Sequence, residues 1–171
     1  MKDLIQNIEQ WAEARNLIHG STPEKQTVKL IEEIGELAGA IARQNNEKIR
    51  DSIGDSVVVT VILAKQSDVK IHLDQFGFAT QLYQDVLHNN PTHTTEQLLF
   101  KLQYAISDYL GYNEIDDEKY INVIFMLLYH ISLHLNFDFT ECTRFAYNQI
   151  KDRKGKMVDG VFVKEEDLQN E

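Results

Sequence analysis

The sequence predicts an all-α protein that ends in a small β-hairpin. Apolar residues recur at helical spacing along most of the 171 residues. Helix-start signals precede several of these segments, and only 156–163, KMVDGVFV, is β-prone. A composition of 43% hydrophobic and 26% charged residues is that of an ordinary globular protein, so we expect one domain with a proper core.

The first two helices are predicted from the spacing of apolar residues and from the residues that begin or end a helix. The segment KDLIQNIEQWAEARN carries apolar residues on one face and runs out before Gly20. Thr22 and Pro23 then form a conventional helix start, with a hydroxyl for the cap and proline in the first turn. The second helix is predicted to run to about Arg43. Its buried stripe is Leu30, Ile34, Leu37 and Ile41.

The third helix, predicted over 48–67, is apolar on every face through VVVTVILA, which indicates a central position in the bundle. Further helices are predicted at 72–88, 95–110, 118–135 and 140–151. Two β-prone runs then flank Asp159 and Gly160, a dipeptide typical of a type I′ hairpin turn.

An internal repeat is indicated at an offset of 68 residues, the separation of Pro23 from Pro91. At that offset KLIEEIGELAGAIA aligns with QLLFKLQYAISDYL, and DSVVVTVILA aligns with VIFMLLYHIS. We predict an intact repeat over 1–68, a degenerate one over 69–151 that covers the site, and a tail over 152–171. The alternative is that any two amphipathic helical hairpins align in this way.

Bulk properties limit the partners. A net charge of −10 argues against binding to a nucleic-acid polymer, because phosphate backbones are held by lysine and arginine. A small phosphorylated ligand remains compatible when cations bridge it. The single cysteine, the lack of a signal-like start and an apolar run of only 57–64 lead us to expect a cytoplasmic protein without a membrane span.

Four acidic residues stand at spacings that suit a shared metal site. Glu33 and Glu36 project from one face of the second helix, and Asp51 and Asp55 are four residues apart on the third. The stripe of the aspartates continues through apolar residues, so these carboxylates are predicted to point inward. Facing a core is costly for a carboxylate unless it is paired or binds a metal.

Oxygen ligands without a histidine at the matching spacing favour Mg²⁺ or Mn²⁺. Gly35 and Gly54 each precede a key acid, and their small size is predicted to let the helices approach closely. The alternative is a solvated acidic helix face on an acidic protein.

The segment also resembles a known family. Glu32, Glu33 and Glu36, followed by Asp55 in the run IGD and a long aliphatic stretch, resemble the signature of the MazG-like nucleoside triphosphate pyrophosphohydrolases. That resemblance implies a MazG-like helical bundle that hydrolyses a standard or non-standard nucleotide to the monophosphate and pyrophosphate. It also implies a Mg²⁺ site of Glu33, Glu36 and Asp55, with Glu32 or Glu36 as the base that positions water.

One position departs from the family pattern, because Ser52 stands where a glutamate is usual. The fourth ligand is then either Asp51 or a water held by Ser52. Basic residues are expected to meet the outer phosphates, with the alternative that cations simply favour a helix C-terminus. Trp11 is expected either to stack on the base or to anchor the core. The predicted substrate-binding residues are Trp11, Lys29, Lys151, Arg153 and Lys154.

A different class of function is also open. The missing glutamate and the degenerate second half are compatible with a non-catalytic nucleotide-binding, metal-binding or interaction protein. In either case we expect a monomer or a homodimer.

Overall fold

The computed structural model describes residues 1–73, 94–111 and 117–169. These residues form seven α-helices and one two-stranded antiparallel sheet, so the all-α prediction with a terminal hairpin is confirmed. The predicted helix over 72–88 lies almost wholly outside the described residues. The helices are α1 Lys2–Ala14, α2 Leu17–Gly20, α3 Pro23–Ala42, α4 Asn46–Gln66, α5 Thr95–Gly111, α6 Asp117–His134 and α7 Phe139–Ile150. The strands are β1 Gly155–Val158 and β2 Val161–Lys164, with a 3₁₀ turn at Asp167–Gln169.

Side-chain caps fix where three of the helices begin. The Thr22 hydroxyl accepts a hydrogen bond from the Lys25 amide at 3.3 Å, with Pro23 at the first helical position. Asn45 caps α4 in the same way, and Asp138 caps α7. Each cap satisfies an amide that would otherwise lack a partner, so these short polar residues set the register of the helices they precede.

Helix α4 is the centre of the structure. It packs against α1, α3, α6 and α7, and most of its residues from Ile49 to Ala64 are buried. Gly54 permits one of these contacts, because a Cβ there would lie 2.3 Å from the Cys142 carbonyl oxygen of α7. The same expectation for Gly35 is wrong, since a Cβ there would meet no atom within 4 Å.

The C-terminal hairpin folds back onto the first three helices. Its turn has positive φ at both central residues, 50° at Asp159 and 79° at Gly160, as a type I′ turn requires. Arg15, the C-cap of α1, donates to the carbonyl oxygen of Arg153 at 2.8 and 2.9 Å, and the Lys25 ammonium donates to the Asp159 carbonyl oxygen. The hairpin is thus held against α1 and α3 through its own backbone.

The second helical pair repeats the arrangement of the first. Helix α5 packs on α6 as α3 packs on α4, and α6 also packs on α4. Helices α4 and α6 end at Gln66 and His134, which are 68 residues apart. This correspondence agrees with the predicted repeat, while the duplication itself stays a prediction.

In the described ranges, no single helix is long and apolar enough to cross a membrane. Helices α6 and α7 pass such a test only when taken together, by length and composition alone, and they are bent by 109° at the break between them.

Candidate functional site

A cavity of about 440 Å³ opens between α1, α3, α4 and the C-terminal hairpin. We call it the acidic pocket, because four carboxylates line it: Glu32, Glu33, Glu36 and Asp55. Four cations also line it: Lys25, Lys29, Arg153 and Lys164. Its apolar wall consists of Trp11, Leu17, Val58, Val59, Ile62, Ile150, Val161 and Phe162, and the remaining lining residues are Ser21, Gln26 and Gly160. One cavity therefore combines an apolar surface with closely spaced charges of both signs.

Glu33 is the buried carboxylate of α3, with only 6% of the residue exposed. Its Oε1 lies 2.8 Å from the Lys29 ammonium, and the same ammonium lies 2.9 Å from Oε2 of Glu32. Burial raises the pKa of Glu33, while the hydrogen bond and charge of Lys29 oppose that rise. Lys29 is thus the counter-ion of two carboxylates that follow it on the same helix, three and four residues later.

Asp55 brings a further carboxylate to the pocket from α4. Its pKa is raised to about 7, mainly by burial and then by the carboxylates of Glu33 and Asp51, against the opposing charges of Arg153 and Lys29. A carboxylate held in this environment gains from any additional cation. The electrostatic cost belongs to the ionised Asp55 carboxylate itself, because the next turn of α4 consists mainly of buried apolar residues.

The two candidates for the fourth ligand lie elsewhere. Asp51 is absent from the pocket lining, and its Oδ1 accepts a hydrogen bond from Nε2 of Gln149 at 2.7 Å. Ser52 is buried and lines a neighbouring cavity of about 470 Å³. Glu32 and Glu36 line both cavities, so Ser52 shares the neighbouring cavity with these two carboxylates of α3. The choice between Asp51 and a water on Ser52 stays open.

The donor chemistry of the pocket fits a hard divalent cation. Glu33, Glu36 and Asp55 supply only oxygen atoms, and Asp55 carries a charge that burial disfavours. Among the described residues, no group of three or more histidine, cysteine, aspartate or glutamate side chains converges closely enough to hold a metal ion. The required ligands thus share one cavity, but they are not gathered at coordination distance.

Three of the five predicted substrate-binding residues line the pocket, namely Trp11, Lys29 and Arg153. Lys151 and Lys154 are exposed and do not line it. Trp11 is a core anchor, because it is buried and its indole Nε1 donates to the carbonyl oxygen of Ile150 at 2.8 Å. Its ring also forms part of the pocket wall, and stacking on a base stays a prediction.

Sequence reasoning missed three residues of the pocket, of which two come from the hairpin and Lys25 comes from α3. Phe162 meets the Trp11 ring edge-on at a centroid distance of 6.1 Å, and Lys25 and Lys164 add cations. The hairpin was predictable from its turn, but where it packs was not. Helices α5 and α6 contribute no described residue to the lining. Ile150 of α7 is the only described residue of 69–151 in the lining, and α1 and the hairpin border the cavity as well. The predicted cover by the second repeat therefore stays a prediction.

Fold and pocket together define an all-α protein with a partly buried acidic site beside an apolar wall. Comparison with known proteins narrows this class, because residues 21–79 match the family model of the MazG nucleotide pyrophosphohydrolase domain. The matched segment includes α3, α4 and all four pocket carboxylates.

A protein of Haemophilus phage HP1 (strain HP1c1) is 53% identical over 75 residues, and it is described as an uncharacterized 18.2 kDa protein in the rep-hol intergenic region. The matched segment covers 44% of this chain and 46% of the phage protein, which is less than half of either. No solved structure matches the chain.

Proposed function

We propose that this chain is a Mg²⁺-dependent nucleoside triphosphate pyrophosphohydrolase, which converts a standard or non-standard nucleotide to its monophosphate and pyrophosphate. The observation that carries the proposal is the position of Asp55 opposite Glu33 in one pocket, inside the matched MazG domain. Mn²⁺ is a suitable alternative ion, since it also prefers oxygen ligands.

The division of the pocket suggests how a nucleotide would lie. The Trp11 and Phe162 rings, with the aliphatic residues around them, offer a surface for a base. Lys29 and Arg153 are suited to the phosphates, because both cations line the cavity beside the carboxylates. A nucleotide has the same combination of a flat apolar end and a dense anionic end.

Glu33, Glu36 and Asp55 are the residues that would hold the divalent cation. When bound, that cation neutralises phosphate charge and makes water a better nucleophile. Glu32 and Glu36 both line the pocket, and we propose that one of these carboxylates accepts the proton of the attacking water. Arg153 and Lys29 would then stabilise the charge that develops on the leaving pyrophosphate.

The direct experiment incubates the purified protein with a panel of nucleoside triphosphates and Mg²⁺ and measures pyrophosphate release. Glu36→Gln should abolish release. Glu24→Gln removes an exposed carboxylate from the first turn of the same helix and should leave release unchanged. Absence of turnover on every nucleotide would refute the proposed reaction.

The same assay, combined with metal binding, assigns the base. Removing a base should abolish turnover while Mn²⁺ affinity is kept, whereas removing a ligand should weaken both. Glu32→Gln and Glu36→Gln are therefore compared in both measurements. Loss of metal affinity in both variants would contradict a base role for either carboxylate.

A non-catalytic nucleotide-binding or metal-binding protein is the second candidate. It is favoured by Ser52, which supplies no carboxylate, and by the lack of a convergent three-ligand group among the described residues. Thermal unfolding with Mg²⁺ and nucleotide separates the two candidates. Stabilisation without product would favour the binding protein, and stabilisation with product would favour the enzyme.

A further inference from the structure

The Lys29 ammonium holds a position that a divalent cation would compete for. Its Nζ lies 2.8 Å from Oε1 of the buried Glu33 and 2.9 Å from Oε2 of Glu32. Glu33 is one of the three carboxylates that would bind the metal, so its best-placed oxygen already has a cationic partner. Removing that partner without replacement would leave a buried charge unpaired, which is costly.

Lys29 also has room to move. Its side chain is 46% exposed, although Leu30, the next residue of the helix, is fully buried. A lysine places a compact charge on a flexible four-carbon stem, so its ammonium can swing without moving the backbone. Lys29 lines the acidic pocket, and the ammonium therefore stays within the same cavity when it leaves Glu33.

We propose that Lys29 is an exchangeable counter-ion of the acidic pocket. In the metal-free protein its ammonium neutralises Glu33 and Glu32. When a divalent cation binds, the ammonium leaves Glu33 and pairs with the phosphates of the ligand. The inference deepens the proposed function, and its second half rests on it. Lys29 would thereby couple metal binding to phosphate binding, since the cation displaces the ammonium that the phosphates need.

The chain provides controls for this role. Lys25 lines the same pocket, but its ammonium donates to a hairpin carbonyl oxygen instead of a carboxylate. Lys65 forms an ion pair with Glu13 at 3.3 Å and does not line the pocket. Lys29→Met, Lys25→Met and Lys65→Met thus each remove one lysine charge, and only the first also releases Glu33.

Mn²⁺ binding is measured by calorimetry at pH 8 without nucleotide. Lys29→Met should bind Mn²⁺ about tenfold more tightly than the wild type. That factor corresponds to the repulsion, by Coulomb's law, between a unit charge and a divalent ion about 6 Å apart in bulk water, which the substitution removes. Lys65→Met should change the affinity by less than about threefold, because its charge lies outside the pocket and is screened. Lys25→Met should gain less than Lys29→Met, because the Lys25 ammonium binds a hairpin carbonyl oxygen and does not occupy a carboxylate. Lys29→Arg keeps the charge and should stay close to the wild type.

A second measurement gives a change of opposite sign. At saturating Mn²⁺, Lys29→Met should bind inorganic tripolyphosphate about tenfold more weakly, because one charge-assisted hydrogen bond is lost. A merely structural lysine would not tighten one ligand and weaken the other. Circular dichroism of each variant checks that it is folded.

Three results would overturn the inference: Mn²⁺ affinity unchanged or reduced in Lys29→Met, an equal gain in Lys25→Met, or no Mn²⁺ binding by any protein. If Lys29→Met gains Mn²⁺ affinity while no nucleotide is turned over, the counter-ion role holds and the proposed reaction fails. The two proposals are thus separated by their own data.

Discussion

Replacing Asp55 with asparagine tests whether the ionised carboxylate of Asp55 destabilises the folded, metal-free protein. The pKa of Asp55 is raised from 3.8 to about 7, mainly by burial and then by the carboxylates of Glu33 and Asp51. Folding therefore favours the protonated form. In the metal-free protein, the favourable state is fully present below the unfolded pKa near 4 and is lost as the pH rises to about 7.

The size of the effect follows from the shift. About three pKa units correspond to an upper bound of about 4 kcal/mol of destabilisation by the ionised Asp55 at pH 8. Asp55 is only partly buried, and screening by solvent reduces this to about 2 kcal/mol. Asp55→Asn should thus stabilise the metal-free protein by about 2 kcal/mol at pH 8 and by less than about 1 kcal/mol at pH 4.5.

Urea unfolding with a chelator at both pH values measures this difference. Glu47→Gln removes an exposed carboxylate from the first turn of the same helix, and it should change stability by less than about 1 kcal/mol. Added Mg²⁺ should stabilise the wild type but not Asp55→Asn. If Asp55→Asn destabilised the metal-free protein at pH 8, or by the same amount at both pH values, the electrostatic account of the pocket would be wrong.

Two further predictions concern glycines. Gly54→Ala should lower the free energy of unfolding by about 3 kcal/mol, because the new Cβ would lie 2.3 Å from the backbone carbonyl oxygen of Cys142. Gly35→Ala should instead stabilise α3 by about 0.5–1 kcal/mol, because a Cβ at that position meets open space. Urea unfolding of both variants checks this, and equal effects would contradict it. Gly160→Ala should destabilise the hairpin by about 1–2 kcal/mol, because φ is 79° there and the new Cβ would displace the Lys25 ammonium. Faster amide exchange confined to the hairpin is the expected readout, and unchanged exchange would refute it.

Much of the local structure was predictable, because its causes are short-range. The Thr22 and Pro23 signal starts α3, and Asp159 with Gly160 forms the type I′ turn. The all-apolar run of α4 correctly indicated a central helix. In each case the residues that determine the structure lie within a few positions of one another.

Tertiary placement was less accessible to sequence reasoning. Gly35 and Gly54 each precede a site acid, yet only Gly54 meets another helix. Phe162 reaches the pocket through contacts between distant parts of the chain, such as its own contact with Trp11 and the hydrogen bond from Arg15 to the Arg153 carbonyl oxygen, and no local pattern encodes them. The acidic residues were predictable only in part. Helical spacing correctly brought Glu33, Glu36 and Asp55 to one cavity. It did not reveal that Asp51 accepts a hydrogen bond from a residue of α7.

The arrangement of the pocket explains why its parts come from both ends of the chain. Helices α3 and α4 supply the carboxylates, but on their own they would leave these groups open to water on one side. The Trp11 indole binds the last carbonyl of α7, and the segment that follows closes that side with Arg153 and with Phe162 and Lys164 of the hairpin. Partial closure lowers the local dielectric constant, which raises the cost of an uncompensated carboxylate and strengthens its attraction to a cation. The docking of the hairpin and the perturbed pKa of Asp55 are therefore linked, and loosening the one should relax the other.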